Sequence, residues 1–330
     1  MKGSILRTFG PAKPPSLFIA ALLFMAACLM FATAFADDEL ERDGGAFCSA
    51  TARALFKACR HDVRDNFWIA VGNCENLSTE ADRKTCFADA KLDRHEDIES
   101  CGEQRAARLD ACGLLGEAPY DPVIDPRQFV EPAQIGVTAS ANPYFPLVTG
   151  LTRIYSAGNE TIRVTVTDEV KEILGVPCVI VRDIVEADGE IVEDTEDWYA
   201  QDIDGNVWYF GEIAQNFVDG ELNNLDGSWK AGVAGAKAGI VMKAFPQAGD
   251  VYRQEFALAE AEDLAMVLSV SASAETPAAA CHGDCLLTRD FTPIEPGVNE
   301  HKYYAPDIGV ILTVDVESGD REELIQVITP

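Results

Sequence analysis

The spacing of six cysteines constrains this chain more than any other feature. They lie between residues 48 and 112 at intervals of 11, 15, 12, 15 and 11 residues, a series that is the same in both directions. An antiparallel helical hairpin produces this symmetry, because paired rungs must rise equally on both arms, by about 1.5 Å per residue. Fifteen pairings of six cysteines are possible. The symmetric one, which we predict, is Cys48–Cys112, Cys59–Cys101 and Cys74–Cys86.

The sequence around these cysteines favours two helices. Proline is absent from residues 46–70 and 78–115, Gly72-Asn73 resembles a helix stop, and Ser78-Thr79-Glu80 resembles a helix start. We therefore expect a helical hairpin over residues 37–116, held together by disulfides. A metal site is the alternative, but the short C-x-x-C pairs that place two thiolates on one ion are missing from this segment.

The first 36 residues have the pattern of a secretory signal peptide. Their only charges are basic and precede an apolar run that ends at Ala34-Phe35-Ala36, a small-x-small cleavage site. Two alternatives are an uncleaved membrane anchor and a lipid attached at Cys28. Export to an oxidising compartment would allow the cysteines to pair. We expect a secreted or periplasmic protein with no membrane span after signal cleavage.

The chain is strongly acidic. Its formal net charge is −29 over 330 residues, and removing the three basic residues of the signal peptide would leave −32 over 294. Such a charge repels nucleic acid and anionic membrane surfaces, so we expect neither as a partner. Cationic partners, divalent ions and a merely solvated acidic surface remain open. The apolar content of 48% is that of a globular protein.

Beyond the helices, the pattern changes twice. Residues 117–150 contain six prolines and predict an extended strap that lies against the body of the protein. Residues 151–330 alternate with a period of two and predict an antiparallel β domain, without helices between the strands. The fold class is therefore α+β, with a large curved antiparallel sheet, either a half-barrel or an open meander. Strands are expected at 161–167, 176–185, 191–202, 206–217, 239–245, 250–258, 264–273, 284–291, 299–304, 308–317 and 321–328, with a glycine-rich loop at 227–239.

Aromatic residues concentrate in one predicted hairpin, around a turn at residues 203–205. This turn would pair Tyr199 with Tyr209, Ala200 with Trp208, and Trp198 with Phe210. Aromatic cross-strand pairs commonly stabilise sheets. They also line ligand grooves, because they combine an apolar body with a polar group. Trp198, Tyr199, Trp208 and Tyr209 are therefore candidate ligand-binding residues.

The turn of this hairpin contains Asp202, Asp204 and Asn206, whose closely spaced oxygens are the type of ligand that calcium prefers. The same residues favour a tight turn, because their side chains bond the local backbone. The spacing does not match a helix–loop–helix calcium site, and the turn is the favoured interpretation. We expect no cofactor, and calcium is the alternative at this turn.

Three further cysteines lie in the β domain. Cys281-His282-Gly283-Asp284-Cys285 is able to form a disulfide within the loop, to hold a soft metal, or to bridge Cys285 to Cys178. Outside the cytosol a disulfide is the usual outcome, and the pair that we predict is Cys178 with Cys285, with the bridge within the loop as the alternative. One thiol is left over in each case.

Two stretches of the β domain resemble a known group. DGEIVEDTEDWYAQDIDGNVWYFGE and EPGVNEHKYYAPDIGVILTV are similar to a recurrent family of uncharacterised secreted bacterial β-domain proteins, from about Asn142 to the C-terminus. Tyr303-Tyr304-Ala305-Pro306 with Gly309 also resembles the last strands of half-barrels such as lipoprotein carriers. This likeness implies a strongly bent sheet with a concave face. It implies no catalytic residues.

These features favour a binding function. The sequence lacks the G-x-S-x-G, H-E-x-x-H and glycine-rich nucleotide motifs of common enzymes. We expect an exported acidic carrier of a small or apolar ligand, with a groove lined by the aromatic hairpin, His301 and Tyr303, and no catalytic activity. The alternatives are a structural or interaction module of the cell envelope, using the stapled helices, and a hydrolase that uses His301. The partner is thus a small molecule or an envelope protein.

Overall fold

The structure is a computed structural model that describes residues 45–330, and the predicted signal peptide lies outside them. Two antiparallel helices come first, α1 (Phe47–Glu75) and α2 (Glu80–Leu115). The Thr79 hydroxyl accepts a hydrogen bond from the Asp82 N–H at 3.1 Å, which caps α2 as its start signal predicts. Neither helix has the length and apolar content of a membrane span.

The predicted disulfide ladder is confirmed: Cys48–Cys112, Cys59–Cys101 and Cys74–Cys86 are all present. The ladder also explains why α1 continues through the predicted stop at Gly72-Asn73. Cys74 lies in the last turn of α1 and is bonded to Cys86 of α2, so the last turn is held against its partner helix.

The rest of the described chain is a single antiparallel sheet preceded by the strap. The strap contains two short 3-10 turns, Pro126–Gln128 and Pro132–Gln134. The strands are β1 (Thr152–Ala157), β2 (Glu160–Ile173), β3 (Val176–Ala187), β4 (Glu190–Gln201), β5 (Val207–Val218), β6 (Glu221–Asn224), β7 (Trp229–Lys230), β8 (Lys237–Met242), β9 (Val251–Arg253), β10 (Glu255–Phe256), β11 (Leu264–Glu275), β12 (Ala280–Phe291), β13 (Asn299–Ala305), β14 (Gly309–Asp315) and β15 (Arg321–Ile328).

The sheet is nearly closed. Its strand order is β10-β8-β5-β4-β3-β2-β1-β15-β14-β13-β12-β11-β9. The two strands at the ends of this order, β9 and β10, are consecutive in the chain, with only Gln254 between them. β9 pairs with β11 and β10 pairs with β8, so one stretch of chain joins both edges. The predicted curved antiparallel sheet is therefore confirmed, and it is barrel-like.

A glycine permits this closure. Gly239 of β8 lies so close to the closing stretch that a Cβ atom there would be 2.1 Å from the Gln254 carbonyl oxygen. Any other residue would push the two edges apart.

Three strands were missed in the sequence, β1, β6 and β7. β1 precedes the first predicted strand, and β7 lies within the predicted glycine-rich loop. β7 forms because Gly211 of β5 admits the Trp229 backbone: a Cβ at Gly211 would be 2.2 Å from the Trp229 carbonyl oxygen. Trp229 consequently pairs with Glu212.

The strap packs against the sheet, as expected. The Tyr120 hydroxyl donates to the Ala238 carbonyl at 2.8 Å. Phe129 makes edge contacts with Trp208 and Phe210, with ring centroids 6.2 and 5.6 Å apart. The strap therefore covers the outer face of the aromatic hairpin.

The predicted Cys178–Cys285 bridge is wrong, and the alternative within the loop is the one formed. Cys281 is bonded to Cys285, whereas Cys178 is a buried free thiol. A bulge in β12 opposite β11 brings the Cα atoms of Cys281 and Cys285 within 5.4 Å. β3 and β12 are not neighbours in the sheet. Burial raises the pKa of the Cys178 thiol to about 12, so it is a poor nucleophile at neutral pH.

A buried ion pair joins the hairpin to the sheet. The Arg108 guanidinium of α2 donates through Nε and Nη2 to the two carboxylate oxygens of Glu262, both at 2.8 Å. Both side chains are almost fully buried. Glu262 also accepts from the Ala259 N–H at 2.8 Å, so the pair fixes the segment that precedes β11.

We expect Arg108→Met to lower the free energy of unfolding by about 3–5 kcal/mol, because it leaves the buried Glu262 carboxylate without its partner. Arg108→Met with Glu262→Met should lose clearly less, since no buried charge is then unpaired. Urea unfolding with the disulfides intact measures both. Equal losses in the single and double variants would contradict this role for the ion pair.

Candidate functional site

The candidate site is a cavity of about 420 Å³ enclosed by the curved sheet, which we call the chamber. Its walls come from strands all around the sheet. The charged residues that line it are Arg153, Asp183, Asp197, Asp290, Glu300, Lys302 and Glu322. Three tyrosines also line it, namely Tyr155, Tyr199 and Tyr304, together with several valines.

The period of two in each strand places these residues inside. On β3, Val181, Asp183 and Val185 all line the chamber, as expected for alternate positions of a strand. On β13, Glu300, Lys302 and Tyr304 do the same. On β3 a single acid, Asp183, interrupts an apolar inward face, whereas on β13 two of the three inward residues are charged.

Two polar side chains in the chamber each have one buried atom without a hydrogen-bond partner among the described residues. The Asp183 Oδ1 atom is buried and has no hydrogen-bond partner among the described residues. Arg153 is only 4% exposed, and while its Nη1 donates to the Ile308 carbonyl at 3.2 Å, its Nε has no partner there. Burial, with the Asp197 charge as a smaller contribution, raises the pKa of Asp183 well above its usual value. Unpaired buried groups are costly, so native proteins rarely contain them.

Lys302 is paired with acidic residues. Its ammonium lies 3.4 Å from Asp290 Oδ2 and 3.3 Å from Glu300 Oε2. Asp290 also accepts from Gln254 Nε2 at 3.2 Å, which links it to the closing stretch. Burial lowers the pKa of Lys302, but the carboxylates of Asp290 and Glu300 outweigh burial and raise it well above the usual value. Lys302 therefore stays protonated at neutral pH.

A tyrosine bridges two buried carboxyl groups beside the chamber. The Tyr209 hydroxyl oxygen lies 2.5 Å from Asp197 Oδ1 and 2.8 Å from Glu212 Oε2. A hydroxyl has one proton to donate, so one of the two carboxyl groups must itself be protonated and donate to Tyr209. Burial is the main reason that the pKa of Glu212 rises to about 7 and that the pKa of Asp197 is well above its usual value.

Two further acids, Glu255 and Asp263, belong to the same buried acidic group. Glu255 of β10 and Asp263 both have raised pKa values, caused first by burial. For Glu255 the nearby charges of Asp263, Glu212 and Asp197 raise the pKa further. The interior is therefore acidic well beyond the chamber walls.

The aromatic hairpin forms as predicted at its tip and differs deeper in the sheet. Tyr199 pairs with Tyr209, and Ala200 with Trp208, as expected. Trp198 does not pair with Phe210, because a bulge shifts the register between Asp197 and Tyr199. Gly211, with a φ of +125°, occupies the bulge in β5.

The two tyrosines of the hairpin, and not its tryptophans, belong to the site. Tyr199 lines the chamber, and Tyr209 stacks on it with a centroid separation of 4.5 Å. Trp198 lies under the Lys171 ammonium, which is 3.5 Å from its ring centroid. Trp208 packs under Phe129 of the strap. Neither tryptophan lines the chamber.

His301 and Tyr303 lie on the other face of β13. They alternate with Glu300, Lys302 and Tyr304, which line the chamber, so their side chains leave the opposite side of the strand. The predicted groove lined by His301 is thus not brought together. Lys302, between them, is the residue of this segment that enters the site.

Asp202 forms a turn. Its Oδ1 accepts from the backbone N–H groups of Asp204 and Asn206 at 3.0 and 2.8 Å. Its Oδ2 accepts from Asn206 Nδ2 and Trp208 Nε1 at 2.8 and 2.9 Å. Both carboxylate oxygens are therefore engaged by the protein itself. Within residues 45–330, no three His, Cys, Asp or Glu side chains are grouped as for a metal ion.

Fold and chamber together define an α+β protein with a stapled helical hairpin and a barrel-like sheet around an acidic interior. No protein-family model matches the chain. No curated protein matches it either. A crystal structure described as that of a "putative lipoprotein" from Parabacteroides distasonis is similar over 57% of this chain and 100% of its own, with 13% sequence identity and a TM-score of 0.31. At this TM-score the likeness bears on neither fold nor function.

The raised pKa of Glu212 makes stability depend on pH. Its pKa of about 7 in the folded protein exceeds the usual 4.5. The stability that the protonated carboxyl group contributes is therefore fully present below pH 4.5 and is lost as the pH rises through 7. We expect Glu212→Gln to remove part of this loss. Compared with the parent, the variant should gain roughly 1–3 kcal/mol in free energy of unfolding on going from pH 5 to pH 8. Urea unfolding at both pH values is the measurement, with the exposed Glu221→Gln as the control. A variant whose stability changes with pH as the parent's does would contradict the assignment.

Proposed function

We propose that this chain is an exported binding protein that carries a small molecule inside the chamber. A nearly closed sheet around a cavity of about 420 Å³ is compatible with a binding role, and this volume is in the range of small-molecule sites. The observation that carries the proposal is the pair of buried, unpartnered groups in that cavity, Asp183 Oδ1 and Arg153 Nε. A bound molecule that satisfies them would remove the free-energy cost of leaving them unpaired.

Export is supported by the cysteines. Four disulfides are present within residues 45–330. Disulfides form and persist mainly in oxidising compartments outside the cytosol. The signal-peptide pattern of residues 1–36 supports the same location from sequence.

The chamber changes the ligand that we expect. The sequence predicts a small or apolar ligand in a groove lined by the aromatic hairpin, but the indoles of Trp198 and Trp208 lie outside the chamber. The cavity walls instead combine ionisable groups with tyrosines and valines. A polar or amphipathic small molecule is therefore the better candidate, because an apolar one would leave the ionisable groups desolvated and unpaired.

Filling the chamber should abolish binding. We expect native mass spectrometry of the unreduced protein from its host to show a retained small-molecule mass. Val181 lines the chamber, so the larger side chain of Val181→Trp should occupy the cavity and displace that mass. Val185→Phe is a second filling variant, and Ile184→Trp, on the opposite face of β3, is the control. The carrier function would be contradicted if both filling variants retained the ligand, or if the parent protein showed no bound small-molecule mass.

A second candidate is an interaction module, favoured by the surface of the helical hairpin. A groove of about 490 Å³ there is lined mainly by basic residues, namely Arg53, Lys57, Arg60, Arg64 and Arg105, with Phe56 and His61. The spacing of Arg53, Lys57, Arg60 and Arg64 places them on one face of α1, and Arg105 comes from α2. The guanidinium carbons of Arg60 and Arg105 lie 5.7 and 5.1 Å from the Phe56 ring centroid. Exposed apolar side chains, including Trp68 at 60%, lie on the same hairpin.

A basic face on a chain of net charge −29 favours an acidic partner. We expect Arg60→Glu with Arg64→Glu to reduce, by about tenfold or more, the capture of an acidic envelope protein in crosslinking from the host. Ligand retention in the chamber should be unchanged, which separates the two functions. A charge exchange outside this groove, Asp82→Lys in the first turn of α2, is the control. Equal capture by all variants would rule out this face as an interface.

A further inference from the structure

We propose that the ligand of the chamber is a small organic cation, a protonated amine whose ammonium group binds among Asp183, Asp197 and Glu322. This inference rests on the proposed carrier function and specifies its ligand. Three observations support the proposal: the excess of acidic side chains in the chamber walls, the unpartnered acceptor Asp183 Oδ1, and the tyrosines and valines that surround it.

The charge balance of the chamber favours a cation. Five carboxyl side chains and two basic side chains line it, so the acids are in excess. The Lys302 ammonium lies within 3.4 Å of both Asp290 and Glu300 and is committed to them. Within residues 45–330, none of the ion pairs involves Asp183, Asp197 or Glu322. A ligand that brings positive charge would complete the pairing of these three.

The unpartnered groups point to a hydrogen-bond donor on the ligand. Asp183 Oδ1 is buried, accepts no hydrogen bond within residues 45–330, and belongs to a residue that lines the chamber. An ammonium group has three donors and satisfies several carboxylate oxygens at once. Arg153, which is 4% exposed and has a free Nε–H, would additionally be satisfied by an oxygen atom on the ligand. An amine that also carries a hydroxyl group fits both requirements.

Aromatic and aliphatic walls favour an organic cation over a bare ion. Tyr155, Tyr199 and Tyr304 line the chamber, and the rings of tyrosines attract cations that approach their faces. The Tyr155 hydroxyl donates to the Val310 carbonyl at 3.0 Å, which fixes this ring in place. Val164 and Val181 offer contact surface for the carbon chain of a ligand.

Binding of an amine should compete with protons. Burial raises the pKa values of Asp183, Asp197 and Glu322, and that of neighbouring Glu212 to about 7. The basic groups that face them are Arg153 and Lys302, both already cationic. An ammonium ion favours the ionised carboxylates, so its binding should release protons, and its affinity should rise from pH 5 to pH 8.

The test is calorimetry with four probes of similar length: 1,4-diaminobutane, 4-amino-1-butanol, 1,4-butanediol and succinate. We expect both amines to bind at pH 8, with an affinity that is about tenfold or more lower at pH 5. The affinity of the diol should be at least about tenfold lower than that of either amine, and succinate should not bind. Proton release should appear as a dependence of the measured heat on the ionisation enthalpy of the buffer. Asp183→Asn should weaken amine binding by about tenfold, whereas the exposed Glu186→Gln of the same strand should not.

The outcomes separate the ligand class from the function. Binding of the diol or succinate as tight as that of the amines, and abolished by Val181→Trp, would overturn the cation while leaving the carrier function intact. If neither amine binds at millimolar concentration, the proposal of a cationic ligand is also wrong. The mass retained in native mass spectrometry then tests the carrier function independently. Amine binding that Asp183→Asn, Val181→Trp and Val185→Phe all leave unchanged would place the amine outside the chamber and overturn the proposal.

Discussion

The closing of the sheet by the chain from Val251 to Phe256 is the constraint on which the rest of the structure depends. This stretch pairs with β11 through β9 and with β8 through β10, and Gly239 admits its backbone at the seam. Closure removes water from the inward side chains. Desolvation is accordingly the first cause of every raised carboxyl pKa in the interior. The acidic character of the chamber is therefore a consequence of the topology, and an open sheet with the same residues would solvate them.

The stapled hairpin and the strap support this closing stretch from outside. Arg108 of α2 binds Glu262, which lies just beyond β10 in the chain. Arg253 of β9 lies near the hairpin, with its Nη2 3.8 Å from the sulfur of Cys48. Tyr120 of the strap packs on Phe256, with ring centroids 5.2 Å apart. The disulfides stabilise a small helical unit that has little core of its own. This unit in turn packs against the stretch where the sheet closes.

The sequence predicted the parts that depend on local spacing. Cysteine intervals predicted the ladder because rise along a helix is regular, and alternation predicted most strands. Asp183 of the chamber was missed because it is a single departure from an apolar period, between Val181 and Val185, and only the closed topology brings it together with the other acids. His301 was chosen for its chemistry, but the side chains that enter are those of its neighbours, Glu300 and Lys302. The bulge at Gly211, which shifts Trp198 from its expected partner, depends on the backbone of Trp229 and carries no local signal.

The measurement that tests this account most directly is a pH titration of the side-chain carboxyl carbons by NMR, on the unreduced and ligand-free protein. We expect two populations of carboxyl groups. Exposed carboxyl groups should titrate near their usual values, while Glu212 should titrate near pH 7 and the Asp183 and Asp197 signals well above their usual range. Assignment by Glu212→Gln and Asp183→Asn should remove the corresponding high-pH transitions. A single population that titrates near pH 4 would show a solvated interior, and would contradict both the closed sheet and the acidic chamber.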